Sequence, residues 1–146
     1  MKGKLLPLDE RPCNRVFPQM IARTNKDLEL EVPTLEMLGS KRIPADPEDI
    51  NRFLLNEVED FEFVVISLDM LLYGGLIPSR LHHLDHAEAV RRFDVLRKMR
   101  MAKPALKIYA FQCIMRAPSY DSSEEEPEYY ADWGYLLFRR KYRGAI

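Results

Sequence analysis

"FEFVVISLDMLLYGGLIPSR", residues 61–80, opens with an almost unbroken apolar run and then turns polar. Between positions 61 and 68 the apolar residues do not alternate with polar ones. A strand with that pattern is covered on both faces, the usual condition inside a parallel sheet. Residues 4–8, 28–32 and 107–114 also read as strands. Helical patterns fall between them. Asp46 is placed to cap a helix over 47–58. Pro47 suits its first turn, and Glu48 and Asp49 suit the positive end of the helix dipole. Ile50, Phe53, Leu54 and Val58 then recur at helical spacing. A second helix is predicted over 84–101, with Leu84, Ala87, Val90, Phe93, Leu96 and Met99 facing inward. Its other face carries Arg91, Arg92, Asp94, Arg97 and Lys98 and reads as solvated. A shorter helix is expected to begin near Pro18, with Met20 and Ile21 inward.

Strand and helix therefore alternate. That order predicts an α/β domain, with a mainly parallel sheet of about four strands and flanking helices, doubly wound. The opening part of a β/α barrel shows the same alternation and is the alternative. Residues 1–118 form this α/β domain. Residues 119–146 start with the acidic stretch "SYDSSEEEPE", read as a solvated loop. An aromatic-rich helix follows, with Tyr129, Tyr130, Trp133, Leu136 and Leu137 on its apolar face. It is expected to begin a region missing from this chain and to support self-association.

The chain has 146 residues, enough for a real core, with 47% hydrophobic and 31% charged residues. A net charge of −1 supplies no bulk field toward nucleic acid or an anionic membrane, and neither is expected as a partner. No run approaches a membrane span. Cys13 and Cys113 make no metal or disulfide spacing and read as reduced core thiols. No signal-like segment follows Met1, so the cytoplasm is the expected compartment.

In open parallel sheets, ligands bind beyond the carboxyl ends of the strands. Three such ends carry polar clusters here. "DERPCN", residues 9–14, follows the first strand. Asp69, Tyr73, Gly74, Gly75, Ser79 and Arg80 follow the third. Arg116 follows the fourth. Asp9 and Asp69 are the candidate catalytic pair, because two carboxylates in one cleft split their pKa values into acid and base. The bland reading has Asp9 paired with Arg11 and Asp69 closing its loop. Arg11, Arg80 and Arg116 suit bidentate recognition of an anion, or a structural network with those acids. Asn14, Tyr73 and Ser79 complete the candidate substrate contacts. Gly74 and Gly75 either let a ligand approach the backbone or supply positive φ in a turn. His82 and His86 are four apart, but HExxH is absent and no metal site is assigned. No nucleotide-binding glycine motif occurs, and the cofactor stays unknown.

"LLPLDERPCN", "SLDMLLYGGLIPSR" and "IYAFQCIMRAP" carry a likeness over residues 5–118. The chain resembles the amino-terminal part of the bacterial family catalogued as domain of unknown function 4127. Asp9, Arg11, Pro12, Cys13, Asn14, Ser67, Asp69, Tyr73, Gly74, Gly75, Ser79, Arg80 and Arg116 match its motifs. The resemblance implies a bacterial cytoplasmic enzyme and names no reaction. It also implies a longer parent protein, of which this chain is an amino-terminal fragment. The expected activity is that of a hydrolase or lyase on a small polar or sugar-like substrate. The alternative is a non-catalytic ligand-binding or sensor domain using the same pocket.

Overall fold

The computed structural model describes residues 1–144. The chain divides into two compact units, Met1–Gln112 and Cys113–Ile146. The first contains the strands β1 (Lys2–Leu6), β2 (Glu29–Glu31), β3 (Phe63–Ser67) and β4 (Lys107–Phe111). Its helices are α1 (Pro12–Ala22), α2 (Pro47–Leu55), α3 (Leu68–Tyr73), α4 (Pro78–Leu81) and α5 (His86–Ala102). The second unit contains α6 (Tyr130–Arg143).

All four strands are parallel, in the order β2-β1-β3-β4. The fold is α/β, with an open sheet and not a closed barrel. In the opening part of a barrel, neighbours in the sheet would also be neighbours in sequence. Here β3 lies against β1, which removes that alternative.

Successive strand residues face opposite sides of the sheet. Leu6, Val64 and Ile66 point to one side and meet Ile50, Phe53 and Leu54 of α2 and Val95 and Met99 of α5. Phe61 and Leu106, each just before its strand, are fully buried in the same core. Burial of each such side chain contributes roughly 1.5–3 kcal/mol. Leu5, Phe63 and Val65 point to the other side, where they share an apolar groove with Pro18, Ile21 and Ala22 of α1. Helices thus flank both faces.

Several local expectations change. Helix α1 begins at Pro12 rather than near Pro18, because Pro12 holds the first helical position where a missing N–H costs nothing. Pro18 lies inside the helix. Met20 and Ile21 are exposed, and Ala22 is its buried residue. Helix α5 starts at His86, with the Asp85 carboxylate accepting from Glu88 N–H at 2.7 Å. Its strict every-third-residue stripe winds off one face, since an α-helix turns every 3.6 residues. Val90 and Phe93 are therefore exposed, whereas Val95 and Met99 are buried. Arg92, expected to be solvated, lies toward the same inner side. Its guanidinium donates to the Leu72 carbonyl and to Glu88. Cys13 is exposed and so is no core thiol.

The second unit ties α6 to the preceding loop through Tyr135 N–H to Asp121 (2.8 Å) and Ser122 N–H to the Tyr130 carbonyl (3.1 Å). Trp133, Leu136 and Leu137 are exposed. Among the described residues no helix is long and apolar enough to cross a membrane.

One charge is embedded in the sheet. Lys4 is fully buried, and its Nζ donates to the carbonyls of Phe53 and Asn56, both at 2.6 Å. Glu31 lies at 3.5 Å, and the ring of Phe61 is 4.4 Å from the ammonium. Burial pushes the lysine below its ordinary pKa, and Glu31 opposes that shift. Lys4→Ala should cost about 3–5 kcal/mol, because it opens a cavity and strands the helix-end carbonyls. Lys4→Met keeps the stem volume and should cost less, about 1–3 kcal/mol. Urea unfolding followed by circular dichroism measures both, and equal losses would show that the ammonium's hydrogen bonds, not the volume of the side chain, carry the effect.

Candidate functional site

The strand order creates one topological switch point. From β1 the chain crosses to β2 on one side, then returns over β1 to β3 on the other. Connections diverge there, and it is outside the carboxyl ends of the strands at such a point that open parallel sheets bind ligands. The register sets what reaches it. Leu6 pairs with Ile66, so Asp9 and Asp69 each lie three residues beyond a paired residue. Both are buried, at 4% and 1% exposure. Carboxylates are costly to bury, so each needs compensating partners.

Asp9 has three. Its Oδ1 accepts from the Arg11 backbone N–H at 3.1 Å and from Asn14 Nδ2 at 2.6 Å. Its Oδ2 accepts from Arg11 Nε at 2.7 Å and from the same guanidinium's Nη2. The contact to the Arg11 backbone closes an Asx-type turn that delivers the chain into α1. Burial alone would raise the Asp9 carboxyl. The bonds from Arg11 and Asn14 outweigh it and hold the group below the usual carboxylate range. Asp9 is therefore a fixed anion at neutral pH, suited to orienting Arg11 rather than to carrying a proton. The Arg11 side chain remains half exposed, at 51%.

The stretch after β3 is helix rather than an open ligand loop. Ser67 caps α3 by accepting from Met70 N–H at 3.3 Å, and Asp69 falls in the first turn. Gly74 stops the helix in the left-handed conformation, with φ 81°. Its N–H bonds to the Met70 carbonyl at 2.9 Å, and Gly75 N–H bonds to that of Asp69 at 3.3 Å. The Gly74 carbonyl accepts from Ala45 N–H at 3.0 Å. The glycine pair thus has a structural duty as a positive-φ turn.

Tyr73 stacks on His82, with centroids 4.2 Å apart. Ser79 donates its hydroxyl to the Leu76 carbonyl at 2.6 Å, within its own turn. Arg80 is half buried on α4. Arg116 belongs to the second unit, where it donates to the Tyr120 hydroxyl at 3.1 Å. His82 terminates α4 while His86 opens α5, so the two do not share a helix face. Among the described residues no group of three His, Cys, Asp or Glu could hold a metal ion. The sequence reading passed over residues 39–45. This loop joins both strand ends: Lys41 N–H donates to Glu10 at 2.9 Å, and Ala45 reaches Gly74. Gly39 and the Lys-Arg pair before Pro44 were its only signal.

Two outcomes follow from this geometry. Gly74→Ala places a Cβ 2.6 Å from the Ala45 nitrogen on a positive-φ backbone, and should cost about 2–4 kcal/mol. Gly75→Ala meets nothing closer than 3.5 Å and should cost only about 1–2 kcal/mol of backbone strain. Thermal unfolding of the two variants checks the order. Asp9 gives a pH signature as well. Its lowered pKa contributes stability that is present above the unfolded carboxylate value of about 3.9, and that is lost as pH falls through the folded value. Asp9→Asn should therefore be less stable than the parent at pH 7, with the gap closing below about pH 4. A pH-independent gap in urea titrations would contradict this.

No curated protein and no solved structure matches the chain. The model of a family described as "Protein of unknown function (DUF4127)" matches residues 4–143, nearly the whole sequence, and the chain belongs to that family.

Proposed function

We propose that this chain binds a small polar, hydroxyl-rich substrate at the carboxyl ends of β1 and β3, as part of a bacterial cytoplasmic enzyme of hydrolase or lyase type. One observation carries the reading. Two buried carboxylates, Asp9 and Asp69, stand at the same offset beyond paired residues at the switch point. Buried acids at such a place are candidates for chemistry. Their surroundings divide the work. Asp9 stays ionised and aims the Arg11 guanidinium, with Asn14 bracing it. Arg11 binds a hydroxyl or carboxylate of the substrate in its forked geometry. Asp69 is the acid–base group.

A second reading, a non-catalytic ligand-binding module, is favoured by the full commitment of Asp9 to Arg11 and Asn14. An ionised Asp9 held in that way is no proton donor, whereas paired-acid chemistry needs two titrating acids.

A thermal-shift screen of sugars, sugar acids, polyols and hydroxy acids, followed by product analysis of the hits, separates the two. The enzyme reading expects a stabilising compound that is converted. Asp69→Asn should cut turnover by about 10²–10⁴-fold while preserving binding. Arg11→Ala should weaken binding by about tenfold or more. A hit recovered unchanged supports the binding module. A panel with no stabilising compound sinks both.

A further inference from the structure

A second concavity lies beyond the loop of residues 39–45. Its volume is about 280 Å³, and Arg42, Tyr73, His82, His83 and Arg92 line it together with apolar residues such as Leu72. Among the described residues, no carboxylate lines it, and neither Asp9, Arg11, Asn14 nor Asp69 belongs to it. Of the candidate substrate contacts read from the sequence it takes only Tyr73, and it is a site apart from the Asp9–Arg11–Asp69 edge.

Three elements and a loop set its polar groups. Helix α5 supplies Arg92, whose Nη1 is anchored on the Leu72 carbonyl and whose Nε bonds Glu88 at 3.0 Å. The end of α3 supplies Tyr73, which lies flat against His82 at the end of α4 and fixes the plane of the imidazole. Leu84 N–H donates to His82 Nδ1 at 3.1 Å. That bond requires an unprotonated Nδ1, so in the neutral ring the proton sits on Nε2, which becomes a donor. Burial, and then the nearby charges of His83 and Arg92, hold the imidazole below its usual pKa. Only the second of these causes, the positive charge of the neighbours, works in favour of an anion, and it is the arginines lining the concavity that supply it.

We propose that this concavity binds a small oxyanion, a phosphate or carboxylate, carried on a compact apolar body. Arg42 and Arg92 supply charge, His82 a neutral N–H donor, and the Tyr73–His82 stack with Leu72 the apolar wall. The volume lies just under the range typical of drug-sized ligands, which limits the body to about one ring.

Isothermal titration with phenyl phosphate and with benzoate, against sodium chloride at equal ionic strength, tests this on the 146-residue chain. At least one probe should bind, and the preferred probe identifies phosphate or carboxylate. His82→Phe retains the stack and removes the donor; Arg42→Ala removes a charge from an exposed side chain. Both variants should fold, and each should weaken binding by about tenfold or more. Arg11→Ala should leave it within about twofold, since Arg11 serves the other site. No heat beyond the chloride control, or undiminished binding in both variants, overturns the proposal. Loss of binding in Arg11→Ala moves the anion to the Asp9 edge and overturns it equally.

Discussion

Lys4 brings a charged group into the interior of the first unit, and its acceptors come from three separate parts of the chain. The carbonyls of Phe53 and Asn56 belong to the end of α2, Glu31 to β2, and the rings of Phe53 and Phe61 close over it. Helices leave their last carbonyls without partners, and an ammonium satisfies such groups well. The lysine therefore fixes where α2 ends against β1. Helix α2 spans the crossover that carries the chain back over β1, and its end point decides how β3 is laid beside β1. The desolvation of one ammonium is offset by hydrogen bonds that α2 and the sheet would otherwise lack.

The carboxyl edge depends on that alignment. Asp9 and Asp69 hang from adjacent strands at helix starts that are chemically marked: Asp9 just ahead of α1, which opens on Pro12, and Asp69 in the first turn of α3, which Ser67 caps. The Asx-type turn at Asp9 and the glycine stop at Gly74 then hold the two ends, with residues 39–45 clasped to both. Rigid elements at an edge of this kind keep polar groups in place at little entropic cost when a ligand arrives.

Much of this was legible in the sequence. The unbroken apolar run before Asp69 pointed to a parallel strand, and the alternation of strand and helix to the α/β class. Asp46 and Pro47 marked the start of α2 correctly, because capping is a local interaction. Asp9 with Arg11 was also legible, as neighbours two apart in a turn. What failed was non-local. The inner side of α5 depends on which turns meet the core, so Arg92 looked solvated although it reaches Leu72, 20 residues away. The residues after β3 looked like a loop because Gly74 and Gly75 dominate the pattern. The six residues before them are enough for a helix capped by Ser67 and stopped by Gly74. Lys4 gave no signal of burial, since a lysine in a strand reads as an exposed position.

The offset shared by Asp9 and Asp69 makes chain counting a structural quantity. Each acid stands three positions beyond its member of the pair Leu6 and Ile66. An insertion of one residue between Leu6 and Asp9 leaves every ladder hydrogen bond intact and still moves one acid out of step with the other. The same insertion between α1 and β2 disturbs local turn bonds at Asn25 and Asp27 but moves neither acid, and extra length in a loop costs little closure entropy. Tolerance to length change is thus uneven along this chain. The short connectors at the carboxyl edge act as a gauge for the two acids, which those at the opposite edge do not set.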